Sequence, residues 1–193
     1  MKIGYCFTGS FCTFSKSIEE LKKIESAGHS VVPIMSENAY STDTRFGDAR
    51  EIQEQLIQIT GNSIIHTISA AEPIGPKKMF DVLIVAPCTG NTLAKLASGI
   101  TDTSVTMAVK SHLRNSKPVV IGVSTNDALG AAAKNIGILR NYKNYYFVPL
   151  GMDDCINKPK SMVCDFTKVL STALLAAQGK DCLLYTSDAA DER

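Results

Sequence analysis

The stretch DVLIVAPCTGNTLAKLASGITD, residues 81–102, decides the fold class. Val82-Leu83-Ile84-Val85-Ala86 is a short apolar run rich in β-branched residues and stopped by Pro87, the pattern of a strand buried on both faces and so of a parallel sheet. Pro87-Cys88-Thr89-Gly90 reads as a turn, and Asn91 to Ala97 as a helix whose first turn an Asn or Thr can cap. A helix that starts at the carboxyl end of a buried strand presents free backbone N–H groups and the positive end of its dipole. That edge of an open α/β sheet is where ligands bind, here a small anionic or polar-ringed one.

Upstream of it, Lys2 to Thr8 predicts a first strand, Thr8-Gly9-Ser10 a tight turn, and Phe14, Ile18, Leu21 and Ile24 one face of a helix that Gly28 ends. Val31 to Met35 is a second strand, stopped at Ser36. The polar segment Glu37 to Gly47 has no periodicity and reads as a functional loop after a strand's carboxyl end. Ile52, Leu56 and Ile59 mark a further helix ended by Gly61, and Ile64-Ile65 opens a short strand. Glu72 to Lys78 holds Pro73, Gly75 and Pro76 and is excluded from regular structure. Beyond residue 102 the pattern predicts a helix over Thr106 to Asn115, a buried strand over Pro118 to Ser124 and a last strand over Tyr145 to Leu150. A C-terminal helix follows, carrying Met162, Phe166, Val169, Leu170, Ala173 and Ala177 on one face. Strands and helices in alternation predict a single doubly wound parallel sheet, Rossmann-like, with helices on both faces. Residues 1–181 form that one domain. Residues 182–193, CLLYTSDAADER, continue no pattern and resemble the conceptual translation of a transposon-type sequencing adapter, so they are set apart as a foreign tail.

Composition narrows the function classes. Among 193 residues, 45% are hydrophobic and 20% charged, with a net charge of +1, which gives no electrostatic case for nucleic acid or an anionic membrane. No signal-like start and no apolar run near the ~18 residues of a membrane span is found, and the expectation is a cytosolic protein. The six cysteines form no CxxC pair, and His29, His66 and His112 are isolated, so neither a disulfide framework nor a metal site is expected.

Several motifs in fixed order carry a resemblance. Thr8-Gly9-Ser10 follows the first strand and Ser36 the second, and Ala86-Pro87-x-x-x-Asn91-Thr92-x-x-Lys95-x-Ala97-x-Gly99-x-x-Asp102 occupies the centre. Together they resemble the flavoprotein family of FMN-binding, cysteine-decarboxylase-like proteins, over nearly the whole chain. Thr42 to Gly47, Ala71 to Lys78, Leu113 to Pro118 and Ser124 to Gly130 are similar to the branch of that family that works in making pyridine-2,6-dicarboxylate for the bacterial spore core. The resemblance implies FMN as cofactor, a second subunit that binds NAD(P), oxidation of a dihydropyridine-type precursor, a homo-oligomer and the mother cell of a sporulating bacterium. Two departures bear on chemistry. The decarboxylase branch carries a histidine at the position held here by Pro73, and a Pro-Ala-Met-Asn motif where this chain has Val123-Ser124-Thr125-Asn126. A noncatalytic scaffold or substrate-binding subunit, or a decarboxylase or prenyl-transfer flavoprotein of the same fold, are therefore the competing readings.

The cofactor-binding candidates are Thr8, Gly9, Ser10, Ser36, Thr89, Asn91, Thr92, Ser124 and Asn126, which offer N–H, hydroxyl or amide groups at strand ends, and Pro87, which the resemblance adds from the central motif. A dicarboxylate substrate calls for two cationic clamps, for which Arg45 is the first candidate and Lys77, Lys78 and Arg114 the next. Tyr40 is placed to stack on a ring or donate a proton. Each has a plainer role open to it: a helix cap for Asn91 and Thr92, a surface charge for the cations, packing for Tyr40. Cys88 reads as a small hydrophobe, and Lys95 and Asp102 as an ion pair or cap with no chemical step.

Overall fold

In the computed structural model, which describes residues 1–182, β1 (Lys2–Phe7), β2 (Ser30–Met35), β3 (Val82–Cys88) and β4 (Val119–Thr125) form a parallel core in the order β2-β1-β3-β4. The first half of β4 also pairs in parallel with β5 (Tyr145–Phe147). Its last two residues pair antiparallel with β7 (Lys158–Cys164), which closes a hairpin with β6 (Leu150–Asp154). The result is one mostly parallel seven-stranded sheet.

Burial on both faces follows from alternation along the strands. Ile3, Tyr5 and Phe7 of β1 and Val82, Ile84 and Ala86 of β3 pack under α1 (Phe14–Ser26). Cys6, Leu83 and Val85 face the opposite core. Between β2 and β3 run α2 (Glu37–Ser41), α3 (Ala49–Thr60) and α4 (Ile68–Ala71). After β3 come α5 (Gly90–Ala97), α6 (Ser104–Leu113), α7 (Ala133–Arg140) and α8 (Val169–Ala177). Residues of α3 and α8 join the α1 layer, and those of α5, α6 and α7 the other, so the sheet is doubly wound as expected. Gly28 and Gly61 close α1 and α3 with φ of 84° and 65°, values at which glycine carries no steric penalty. Among the described residues no helix is long and apolar enough to cross a membrane.

Several expectations change. Pro87 does not stop β3: the strand runs on to Cys88 through a register shift after Val85, which turns Cys88 to the same core as Val85. The segment after β2 is not a loop throughout. It opens with α2, because Ser36 accepts a hydrogen bond from the Ala39 N–H and nucleates one turn. Ile65 makes only an isolated bridge with Ile34 rather than a strand. Glu72–Ile74 is a 3-10 turn with a proline near its start, where the missing N–H costs nothing. The predicted last strand ends at Phe147, and the β6–β7 hairpin was not foreseen. Met162 consequently lies in β7, and the C-terminal helical segment starts only with the 3-10 turn at Phe166. The adapter-like tail, apart from Cys182, lies outside the described residues.

Candidate functional site

Strand order reverses between β1 and β3, the place where an open sheet leaves a crevice at its carboxyl edge. Thr8 closes that crevice at its base. Its hydroxyl donates to the Pro87 carbonyl at 2.8 Å and accepts from the Thr89 N–H at 3.0 Å, with 1% of the residue exposed. Thr8 and Pro87 thus join the two strands and do not face open space. Immediately above them lies a cavity of about 930 Å³. One wall is the start of α1 and its preceding 3-10 turn (Gly9, Ser10, Phe11, Cys12, Thr13, Lys16). The second is formed by the carboxyl ends of β3 and β4 (Thr89, Ser124, Thr125, Asn126). The third is the hairpin (Asp153, Lys158, Pro159, Lys160, Ser161, Val163), with Phe46 at the rim.

Hydroxyls gather at the cavity's floor. The Ser10 and Ser124 hydroxyls are 2.8 Å apart, Thr13 Oγ1 is 3.4 Å from Ser124 Oγ, and Thr13 donates to the Ser10 carbonyl at 2.9 Å. The N–H groups of Gly9, Phe11 and Cys12 make no hydrogen bond among the described residues. Gly9 has an ordinary backbone conformation, and a Cβ on it would meet only the Phe11 ring, at 3.6 Å. The fold does not need a glycine there; a ligand approaching the backbone would.

Of the residues singled out from sequence, Gly9, Ser10, Thr89, Ser124 and Asn126 are brought together around the cavity. Thr89 caps α5, accepting from the Thr92 N–H and donating to the Thr92 hydroxyl, so the cap lies one residue before the helix rather than on Asn91 or Thr92. Asn91 is exposed on the first turn of α5, and Ser36 is buried as the cap of α2; neither lines the cavity. Tyr40 stacks on His66 with ring centres 3.9 Å apart and planes 5° apart. The Arg45 guanidinium sits 4.8 Å from the centre of the Phe46 ring and so reaches the rim through that residue. Lys77, Lys78 and Arg114 are exposed in the segments that precede β3 and β4, at the amino edge of the sheet, away from this cavity.

Sequence reasoning missed Phe11, Cys12, Thr13, Lys16 and the entire hairpin wall. Lys158 pairs with Asp153 at 3.0 Å, and Ser161 donates to the same carboxylate oxygen at 3.1 Å. These contacts hold the Asp153 carboxyl below its ordinary range and the Lys158 ammonium above its own, Lys158 being the larger influence on Asp153. Cys88 is fully buried and its thiol is pushed far up by desolvation, which makes it a packing residue. Lys95 and Asp102 form an ion pair at 2.8 Å, while the cap of the following helix is Thr103.

The arrangement can hold a ligand with an anionic head among hydroxyl and N–H donors and a flat body against Phe11 and Phe46. Its volume, near the top of the ~300–1,000 Å³ of small-molecule sites, leaves room for a small second molecule. By its donor set and its exposed Gly9 backbone the cavity fits FMN.

Comparison with known proteins bears on the family and the fold. The family model described as Flavoprotein matches residues 1–173. The B subunit of dipicolinate synthase from Bacillus subtilis (strain 168) is 43% identical over 162 residues, covering 84% of this chain and 81% of that protein. The crystal structure of the dipicolinate synthase B subunit from Bacillus halodurans C has a TM-score of 0.87 at 38% identity, covering 95% of this chain and 94% of that one. The FMN-dependent cysteine decarboxylase SpaF has a TM-score of 0.66 at 24% identity, covering 92% and 97%, a likeness of fold alone.

Proposed function

The chain belongs to the flavoprotein family, and on that ground we propose that it acts as the B subunit of dipicolinate synthase. In this reading it binds FMN and works with the A subunit of dipicolinate synthase, which carries NAD(P), to oxidise a dihydrodipicolinate-type precursor to dipicolinate during sporulation. The observation that carries the reading is 43% identity to the Bacillus subtilis B subunit over 84% of the chain. The cavity supports it with a donor set suited to an anionic, flat-ringed ligand.

Gly9, Ser10, Thr13 and Ser124 would hold the cofactor's phosphate, and Phe11 and Phe46 would flank its ring. Bound FMN supplies a two-electron acceptor for the precursor's ring. The chain's own contribution is orientation and exclusion of water. Consistent with that division, the described cavity lining contains no histidine, and its one carboxylate, Asp153, is held by Lys158 and Ser161. The same observation favours a second reading, a noncatalytic subunit that presents substrate to the NAD(P)-dependent partner. A homo-oligomer is part of both readings.

The test is a visible absorption spectrum of the full chain, purified with and without the NAD(P)-dependent partner, before and after denaturation. Released FMN, and bleaching of the bound flavin on anaerobic addition of the precursor, are the expected results. No flavin even after reconstitution with excess FMN would sink the flavin mechanism and leave the substrate-presenting role. Gly9→Leu is expected to abolish FMN retention with the circular-dichroism spectrum unchanged. Light scattering reports the assembly.

A further inference from the structure

We infer that Lys16 and Lys160 are the two cationic contacts for a planar dicarboxylate, one from each side of the cavity. The inference rests on the reading above for the substrate class, and replaces the arginine and lysines that sequence alone put forward.

Three lysines and one carboxylate line the cavity, in a chain whose net charge is only +1. The carboxylate is already taken: Asp153 pairs with Lys158 at 3.0 Å and accepts from Ser161. Lys16 and Lys160 have no ion-pair partner among the described residues. A cation left unpaired on a cavity wall gains most when an anion is brought there out of bulk water.

Their placement is fixed by different elements. Lys16 stands on the first turn of α1, near enough to the end of β7 that its charge opposes the burial pushing the Cys164 thiol up to about 12. Lys160 belongs to β7. Its carbonyl accepts from the Leu129 N–H at 3.1 Å, and its Cδ would lie 3.6 Å from a Cβ at Gly130, so its stem runs along the turn after β4. One cation is therefore anchored to the helix wall and the other to the hairpin wall. The hydroxyls of Ser10, Thr13 and Ser124, gathered on the cavity floor, are left to the cofactor's phosphate. A lysine ammonium is a point charge with three donors, enough for one carboxylate, and two carboxylates that flank a ring nitrogen at positions 2 and 6 call for two such points.

The experiment is calorimetric titration of the FMN-treated full chain, alone and mixed with the NAD(P)-dependent partner, with pyridine-2,6-dicarboxylate and pyridine-2-carboxylate. Lys16→Gln and Lys160→Gln are compared with Lys22→Gln, an exposed lysine on α1 outside the cavity. Each cavity variant is expected to weaken the dicarboxylate about tenfold. Only one of the two should weaken the monocarboxylate as much, and the FMN retained per chain should match wild type. Unchanged dicarboxylate affinity in both variants overturns the assignment and leaves the functional reading standing. So does loss of FMN in place of dicarboxylate, which would give these lysines to the phosphate. A wild-type chain that binds FMN but no dicarboxylate, with or without the partner, also overturns it. Lysine-dependent dicarboxylate binding by a chain that takes up no FMN sustains the assignment while sinking the flavin mechanism. Binding of neither removes both.

Discussion

The two edges of the sheet use the same residue types to opposite ends. At the amino edge, Ser111 accepts from the Gly75 N–H at 2.8 Å and donates to the Glu72 carbonyl at 2.6 Å. Asn115 donates to the Gly75 carbonyl at 2.8 Å, and His112 Nε2 lies 3.1 Å from the Pro118 carbonyl. Each of these groups is spent on a neighbouring segment's backbone. At the carboxyl edge, the hydroxyls of Ser10, Thr13 and Ser124 meet one another around a cavity, and the N–H groups beside them are left without partners among the described residues. A polar residue at a strand end is thus not a site by itself. It becomes one where its neighbours leave hydrogen-bonding capacity unspent.

The largest effect expected from this contrast is on stability and comes from His112. Burial, opposed by the Pro118 carbonyl and deepened by Lys117, pulls its pKa down to about 4, while Asp81 acts in the opposite sense. The unfolded chain, with His near 6.5, binds the extra proton first, so stability present above pH 6.5 is lost as pH falls toward 4. The loss is about 3 kcal/mol for that interval. Denaturant melts at pH 7 and pH 4.5 should show it, and His112→Gln, neutral throughout, should lack this component.

Next in size is Ser111→Ala, which strands the Gly75 N–H in the interior and is expected to cost about 2 kcal/mol. FMN affinity should be untouched. At the other edge, Ser10→Ala should do the reverse: FMN binding weaker by about tenfold, with stability within about 0.5 kcal/mol of wild type. If Ser10→Ala instead lowered the melting point and spared the ligand, the contrast between the edges would collapse. The smallest effect is that of Lys77→Ala, expected to shift dicarboxylate affinity less than about twofold. A larger shift would mean that the amino edge joins a ligand site through another copy of the chain.

The parallel core was legible because its signals are local. Val82 to Ala86 is apolar at every position, and Phe14, Ile18, Leu21 and Ile24 recur at helical spacing, so each element announces itself within a few residues. The hairpin was not legible for the converse reason. Gly151, Met152 and Asp153 of β6 and Lys158, Pro159 and Lys160 of β7 are all exposed, and the pair exists through its partners, Ser124 and Thr125, far back in the chain. The same holds for the site. Gly9, Ser10, Thr89, Ser124 and Asn126 could be read because they stand at or just beyond the carboxyl ends of strands. Lys16 and Lys160 are ordinary lysines until the topology sets them on facing walls. Arg45 reaches only the rim, and no sequence signal separated these cases.

Near its carboxyl end β4 forks: Val119 to Ile121 run beside β5, while Ser124 and Thr125 alone carry the hairpin. The hairpin wall of the cavity is therefore tied back by two register pairs and by the Leu129–Lys160 hydrogen bond, and contributes little to either hydrophobic layer. Such a wall can be rewritten by mutation, or exchanged for that of a relative, at small cost to folding. A lineage built on this plan is free to change what it binds while inheriting the rest of the molecule intact.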